Sequence, residues 1–173
     1  LIIPLQYAVL VGVALGIVLF VARQSNRLWV RALELTDDGR MRETDPPGQL
    51  AASSVVVLQP YGSLFFASAP NFETQLPEVT ETSTGCTVII RLRGTDELGL
   101  ALVDVLRRYA ASLAAVGSTM KIVASEPRVL AQLEQGGIAA DIGAHNIYKG
   151  GEWIGDAVRR AYDDAVGERP ASS

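Results

Sequence analysis

The sequence predicts an α/β fold, a mixed β-sheet with helices packed on it, preceded by one transmembrane helix. The first observation is a segment at residues 1–22 that contains no charged side chain. The second is an apolar, β-branched run at 88–92, followed by an amphipathic helical pattern from Leu98 to Val116. The third is the order of the elements: strands come first and then alternate with helices, which is typical of a mixed sheet.

The uncharged segment 1–22 is long enough to cross a membrane. As a helix with a rise of about 1.5 Å per residue it would extend roughly 33 Å, close to the thickness of about 30 Å of a bilayer core. Its residues are apolar on all sides, unlike those of a soluble helix, and it lacks the basic start and the cleavage pattern of a signal peptide. We expect a transmembrane helix, the last one of a longer protein, with Gly12 and Gly16 allowing a neighbouring helix to approach.

Three arginines follow this segment, at Arg23, Arg27 and Arg31. Positive residues beside a span favour the cytoplasmic side, and each contributes about 1 kcal/mol of attraction to anionic lipid headgroups. The sequence therefore predicts a juxtamembrane linker at 23–28 and places residues 23–173 in the cytoplasm.

The composition argues against several classes of protein. The 173-residue chain has a net charge of -4 and a pI near 5.0, and it shows no cluster of Lys and Arg for a nucleic-acid backbone. Cys86 and His145 are the only residues of their types, so we expect no disulfide, no metal site and no Cys/His nucleophile pair. Glycine-rich phosphate loops and a Gly-x-Ser-x-Gly motif are also absent from the sequence. We therefore expect a protein that is not an enzyme and that binds no cofactor.

The first half of the soluble part is predicted to be rich in strands. A strand is expected at 29–35, followed by an acidic turn at 36–39 and a connecting loop at 40–54 without apolar period. A second strand at 55–58 is expected to form a hairpin with 64–67, because the Pro-Tyr-Gly-Ser sequence between them is rich in turn residues.

A short helix and a loop are expected before the next strand. Asn71 is predicted to cap a helix that carries Phe72 and Leu76 inward and ends at Pro77. The Thr-rich segment 78–85 has no pattern of apolar residues, which predicts a mobile loop.

A buried strand, a tight loop and a long helix are predicted at the centre of the sheet. The loop lies at the end of the strand at 88–92 and the start of the helix, where free N–H groups and the positive end of the helix dipole attract partners. Asp96 is expected to be the N-cap of that helix. We therefore expect a partner or regulatory site formed by Thr95, Asp96, Glu97, Leu98 and Gly99.

Further elements complete the predicted domain. They are a strand at 120–124, a helix capped by Ser125 and ended by Gly136, a short strand at 146–148, a final amphipathic helix at 153–165, and a disordered tail at 167–173.

Five short motifs carry a resemblance to a known family. They are Gly62-Ser63-Leu64-Phe65-Phe66-Ala67, Val88 to Leu92, Asp96-Glu97-Leu98-Gly99, Asn146-Ile147-Tyr148, and Ile154-Gly155-Asp156-Ala157-Val158. Over residues 29–166 the chain resembles a STAS domain, the module shared by anti-sigma-factor antagonists and the cytoplasmic tails of sulfate permease family anion transporters. The segment 1–22 is similar to the last membrane helix of such a transporter.

The resemblance implies a cytoplasmic regulatory and folding module of a secondary transporter in the plasma or inner membrane. The anion would be of the sulfate, bicarbonate or dicarboxylate type. The implied partners are membrane lipid, the remaining transmembrane helices, a protein or a nucleotide at the 95–99 loop, and a second copy of the transporter in a homodimer. No cofactor and no nucleic acid are implied.

The alternative is a membrane-tethered partner-switch protein of the antagonist type. In that branch the loop reads Asp-Ser-Ser/Thr-Gly, and a partner kinase phosphorylates the second hydroxyl residue. Glu97 and Leu98 occupy those two positions here, and Thr95 is the only hydroxyl residue nearby. This departure favours the transporter branch.

Overall fold

The computed structural model describes residues 5–25, 28–36, 40–62, 64, 68–151 and 155–168. The helices are α1 (Leu5–Ser25), α2 (Ala69–Glu73), α3 (Leu100–Ala115), α4 (Pro127–Gln135), α5 (Ile138–Ile142) and α6 (Asp156–Gly167), with a 3₁₀ turn at Ala144–Asn146. The strands are β1 (Trp29–Leu35), β2 (Met41–Thr44), β3 (Val55–Tyr61), β4 (Thr87–Leu92), β5 (Thr119–Ala124) and β6 (Ile147–Lys149).

The strands form one mixed sheet in the order β2-β1-β3-β4-β5-β6. Strand β1 is antiparallel to β2 and β3, whereas β3, β4, β5 and β6 are parallel neighbours. The prediction of a mixed sheet with helices packed on it is confirmed.

Strand β4 is buried over its whole length because helices cover both faces of the sheet. Successive side chains of a strand point to opposite faces. Val88 and Ile90 therefore lie in the larger core cluster with Leu102 and Leu106 of α3, while Ile89 lies in a smaller cluster with α6. A strand covered on both faces has a continuous apolar sequence, which explains why the pattern at 88–92 was informative.

A lysine is buried under helix α6. Lys121 of β5 has no exposed surface, and its Nζ donates to Glu168 Oε1 at 3.0 Å and to the Tyr148 hydroxyl at 3.2 Å. Tyr148 in turn donates to Asp164 Oδ2 at 2.6 Å. Burial, and then the bond to Asp164, raise the pKa of Tyr148. These contacts tie the C-terminal half of α6 to β5 and β6.

Two strand predictions were wrong. Strand β2 lies within the segment 40–54, which we predicted to be a loop. It is the edge strand next to β1 and its side chains are mostly exposed, so its sequence does not alternate between apolar and polar residues. The second prediction was a hairpin of 55–58 with 64–67, of which residues 65–67 lie outside the described part of the chain. Strand β3 extends to Tyr61, and its two edges are already paired with β1 and β4, which leaves no edge for a further strand.

The predicted starts of three helices also change. Ser68 occupies the N-cap position of α2, and Asn71 lies inside this helix, where its Nδ2 donates to the Leu28 carbonyl at 3.0 Å. Glu126, and not Ser125, occupies the N-cap position of α4. Helix α3 begins at Leu100, two residues later than predicted. Helix α5 was not predicted, because its five residues between two glycines are too short to show a period.

The segment 78–85, which we predicted to be mobile, is anchored to the domain. Ser83 is fully buried, and its Oγ donates to the Leu50 carbonyl at 2.9 Å. The carbonyl of Ser83 accepts a hydrogen bond from Ser118 Oγ at 2.6 Å. Glu78 forms a parallel bridge with Gln49. Side-chain hydrogen bonds of this kind leave no apolar signal in the sequence.

Helix α1 covers most of the predicted span 1–22 and continues to Ser25. Its apolar side chains are exposed from Tyr7 to Phe20. Within the part of the chain that the structure describes, no helix has both the length and the hydropathy that a membrane crossing requires. The transmembrane span therefore stays a prediction.

Several predictions fall outside the described residues in whole or in part. They concern the turn at 37–39, the motif residues Phe65–Ala67, the start of the last helix at Trp153 and Ile154, the linker at 26–27, and the tail beyond Glu168.

Candidate functional site

The predicted site lies where β4 ends and α3 begins. Strand β4 ends at Leu92, and Gly94 then turns the chain with a φ of +67°, a conformation that side chains other than glycine rarely adopt. Residues 95–99 connect this turn to the first residue of α3. The sequence therefore located the loop correctly between a buried strand and an amphipathic helix.

The five predicted site residues differ in their burial. Thr95 and Leu98 are buried, with exposed fractions of 7% and 2%, whereas Asp96 and Glu97 are exposed. Neither carboxylate forms an ion pair or a hydrogen bond with any residue that the structure describes. The loop thus presents two negative charges on a base that is packed into the domain.

Backbone hydrogen bonds fix the second half of the loop. The Leu98 amide donates to Gln132 Oε1 of α4 at 2.7 Å, and the Gly99 amide donates to the Leu64 carbonyl at 3.0 Å. The carbonyl of Gly99 accepts hydrogen bonds from the amides of Leu102 and Val103 at 2.9 and 3.2 Å. These contacts join the loop to α4 and to the segment after β3.

The predicted N-cap role of Asp96 was wrong. Gly99 occupies the N-cap position of α3, and no side chain caps the helix. The helix begins later because Leu98 is drawn into the core, which places Asp96 a full turn before the first helical residue. The side chain of Asp96 is therefore available for a contact outside the domain.

Sequence reasoning also missed Gln132, which holds the loop from a different helix. Contacts between residues so far apart in the chain leave no pattern in a single sequence.

On the outer side of α3, Arg107 Nε donates to Asp141 Oδ2 at 2.6 Å and Arg108 Nη2 to Glu73 Oε1 at 2.9 Å. The hydrogen bond from Arg107 to Asp141 raises the pKa of Arg107.

Cysteine and histidine side chains often take part in catalysis. The cysteine of this chain, Cys86, and its histidine, His145, both lie apart from the loop. Cys86 is 1% exposed, and its Sγ lies 3.2 Å from Ser118 Oγ at the opposite end of β4. His145 is exposed in the 3₁₀ turn. The loop offers two exposed carboxylates on an anchored base, which suits a contact surface.

The comparisons with known proteins concern the family and the fold. A profile of the STAS domain matches residues 50–153. A structure of SLC26A9 has a TM-score of 0.65 and 19% identity, and the match covers 96% of this chain and 29% of that chain. The murine Solute Carrier 26 family member A9 anion transporter, in its inward-facing state, has a TM-score of 0.64 and 19% identity, with 93% of this chain and 26% of that chain covered.

The chain spans less than a third of the length of these two structures. No curated protein matches it significantly.

Proposed function

Because this chain belongs to the STAS domain family, we propose that it is the cytoplasmic regulatory and folding module of a membrane secondary transporter. The transported anion would be of the sulfate, bicarbonate or dicarboxylate type. The observation that carries this proposal is the extent of the structural likeness. A match over 96% of the chain leaves only a few residues unmatched, so it includes most of helix α1 together with the sheet. It therefore supports an arrangement in which a helix leads directly into the STAS domain.

The surface of helix α1 supports attachment to a membrane. Side chains from Gln6 to Phe20 are exposed although nearly all of them are apolar. Apolar surface around a whole helix is favourable in lipid or against other apolar helices. We propose that α1 lies in the membrane beside further transmembrane helices of a longer, dimeric transporter. Arg23 and Arg27, which follow in the sequence, favour the cytoplasmic side for the STAS domain.

We propose that the 95–99 loop contacts a regulatory partner and that the domain performs no chemistry itself. Asp96 and Glu97 present two negative charges at fixed positions, because the loop around them is anchored through Leu98 and Gly99. A basic protein surface complements these charges. The phosphates of a nucleotide would be repelled by them, so the loop favours a protein partner over a nucleotide.

Anion uptake in cells that express the full gene tests this proposal. We expect Asp96→Ala combined with Glu97→Ala to change the uptake rate of radiolabelled sulfate, bicarbonate or succinate by about fivefold or more, the usual size of coupling between sites. The matched control combines Glu81→Ala with Glu134→Ala, since both of these carboxylates are exposed and lie outside the loop. An equal rate in both variants would contradict the regulatory loop, and no uptake of any of these anions would contradict the transporter.

The partner-switch alternative is disfavoured by the two loop residues Thr95 and Leu98. Leu98 has no hydroxyl group, and Thr95 is 7% exposed, so a kinase could not reach its hydroxyl in the folded domain. We expect mass-spectrometric mapping of phosphates in stressed and unstressed cells to find Thr95 unmodified. Stress-dependent phosphate on Thr95 would favour the partner-switch function instead.

A further inference from the structure

A small cavity lies on the opposite side of the sheet from the core that holds Leu98. It is located where the parallel strands β4 and β5 end and α6 begins, and its volume is about 80 Å³. In open α/β sheets, the crevice beyond the carboxyl ends of parallel strands is the usual place for ligands. Among the described residues that line the cavity are Arg91, Arg93, Ser125, Gly151 and Gly155.

Two arginines line this cavity, and neither has a negatively charged partner among the described residues. Arg91 is 8% exposed, and its Nη1 donates to Gln59 Oε1 at 2.7 Å. Its other guanidinium nitrogens have no hydrogen-bond partner among the described residues, and Arg93 forms no ion pair with any of them. Burial, and then the positive charge of Arg93, lower the pKa of Arg91. Among the described residues, no carboxylate acts on Arg91.

Helix α6 directs its N-terminus into the same cavity. The helix has 12 residues, and Gly155 occupies its N-cap position with a φ of +101° and no side-chain cap. Ala157 and Val158 of its first turn line the cavity beside the arginines. Uncapped N–H groups and the positive end of the helix dipole attract anions. Asp156, also in this turn, is exposed and does not figure among the charges acting on Arg91.

The size of the cavity limits the ligand. Pockets for drug-sized molecules occupy roughly 300 to 1,000 Å³, and a water molecule accounts for about 30 Å³ of liquid. The volume of about 80 Å³ suits one compact oxyanion. We propose that Arg91, Arg93 and the N-terminus of α6 form a binding site for a phosphate group. This site differs from the 95–99 loop and does not depend on the transport function.

A soluble phosphate and a lipid headgroup both carry such a phosphate group. The positive charges of both arginines act electrostatically on the hydroxyl group of Tyr61. The ring of Tyr61 is stacked on that of Trp29, with a distance of 6.0 Å between the ring centroids. Trp29 is 52% exposed and lies four residues after Ser25, the last residue of α1. Tryptophan and arginine next to a membrane helix are typical of the headgroup region. The two sources share the same chemistry and are separated below by experiment.

The test is calorimetric titration of the full chain, in nanodiscs of phosphatidylcholine, with inorganic phosphate. We expect Arg93→Gln to raise the Kd for phosphate about tenfold or more, as loss of a charged hydrogen bond does. Arg93 is exposed, so its replacement leaves the core intact, and Arg91→Gln provides a second variant. Arg128→Gln is the matched control, because Arg128 is an exposed arginine on α4. The Kd of this variant for phosphate should equal that of the wild type.

Nanodiscs that contain phosphatidylglycerol identify the source. If the lipid headgroup occupies the site, phosphate binding should weaken in these discs for the wild type, and Arg93→Gln should remove the difference between the two disc types. Equal phosphate binding in both discs would indicate a soluble phosphate as the ligand. Absence of saturable phosphate binding in the wild type, or an equal Kd in the wild type and both arginine variants, would overturn the proposal.

Discussion

Replacing Leu106 with alanine is expected to lower the free energy of unfolding by about 2 to 5 kcal/mol. Leu106 lies on the inner face of α3 with no exposed surface, in the larger core cluster with Val88 and Ile90 of β4. The truncation removes apolar contacts and leaves a cavity that a close-packed core fills only in part. The loss is a large share of the roughly 5 to 15 kcal/mol that stabilises a domain.

Leu100→Ala is the matched control for this change. Leu100 is the first residue of the same helix and is 78% exposed, so its truncation should change stability by less than about 0.5 kcal/mol. Urea unfolding followed by tryptophan fluorescence measures both variants. Equal stability of the two variants would show that the inner face of α3 is assigned to the wrong residues.

The centre of the fold could be predicted because its signals are local. The strand at 88–92 is buried on both faces and therefore reads as an unbroken apolar run, and α3 shows an apolar stripe because only one of its faces is covered. Strand β2 was missed for the opposite reason. It lies at the edge of the sheet with exposed side chains, so pairing with β1 alone holds it in place.

The segment after β3 shows how tertiary pairing overrides local turn signals. The Pro-Tyr-Gly-Ser sequence is typical of a hairpin turn, but its first two residues belong to β3, which extends to Tyr61 and not only to residue 58. The sequence does not reveal that β4, which follows much later in the chain, pairs with the edge of β3 that a hairpin would need. Only the pairing of distant strands decides such a case.

The candidate loop was located from sequence, but its anchoring was not. Its position followed from the end of a strand and the start of a helix. The burial of Leu98 and its bond to Gln132 depend on α4, which lies more than 30 residues further along the chain. Arg91 is a similar case, because it is the fifth of the six residues of β4 and reaches the cavity only where β4 ends beside α6.

The second prediction concerns the side of the membrane on which the domain lies. If α1 lies in the membrane with the STAS domain on the cytoplasmic side, the domain is out of reach of reagents that cannot cross the membrane. Cys86, the only cysteine, is 1% exposed and therefore serves as an unreactive background. Lys149 at the end of β6 is exposed, so Lys149→Cys introduces an accessible thiol without disturbing the core.

The most direct test of the account is labelling of the Lys149→Cys chain with a membrane-impermeant thiol reagent, in intact cells and in permeabilised ones. We expect the protein to be recovered with the membrane fraction and to be labelled only after permeabilisation, while the wild type stays unlabelled in both. Equal labelling in intact cells, or recovery of the chain without membranes, would contradict a cytoplasmic STAS domain carried by a membrane helix.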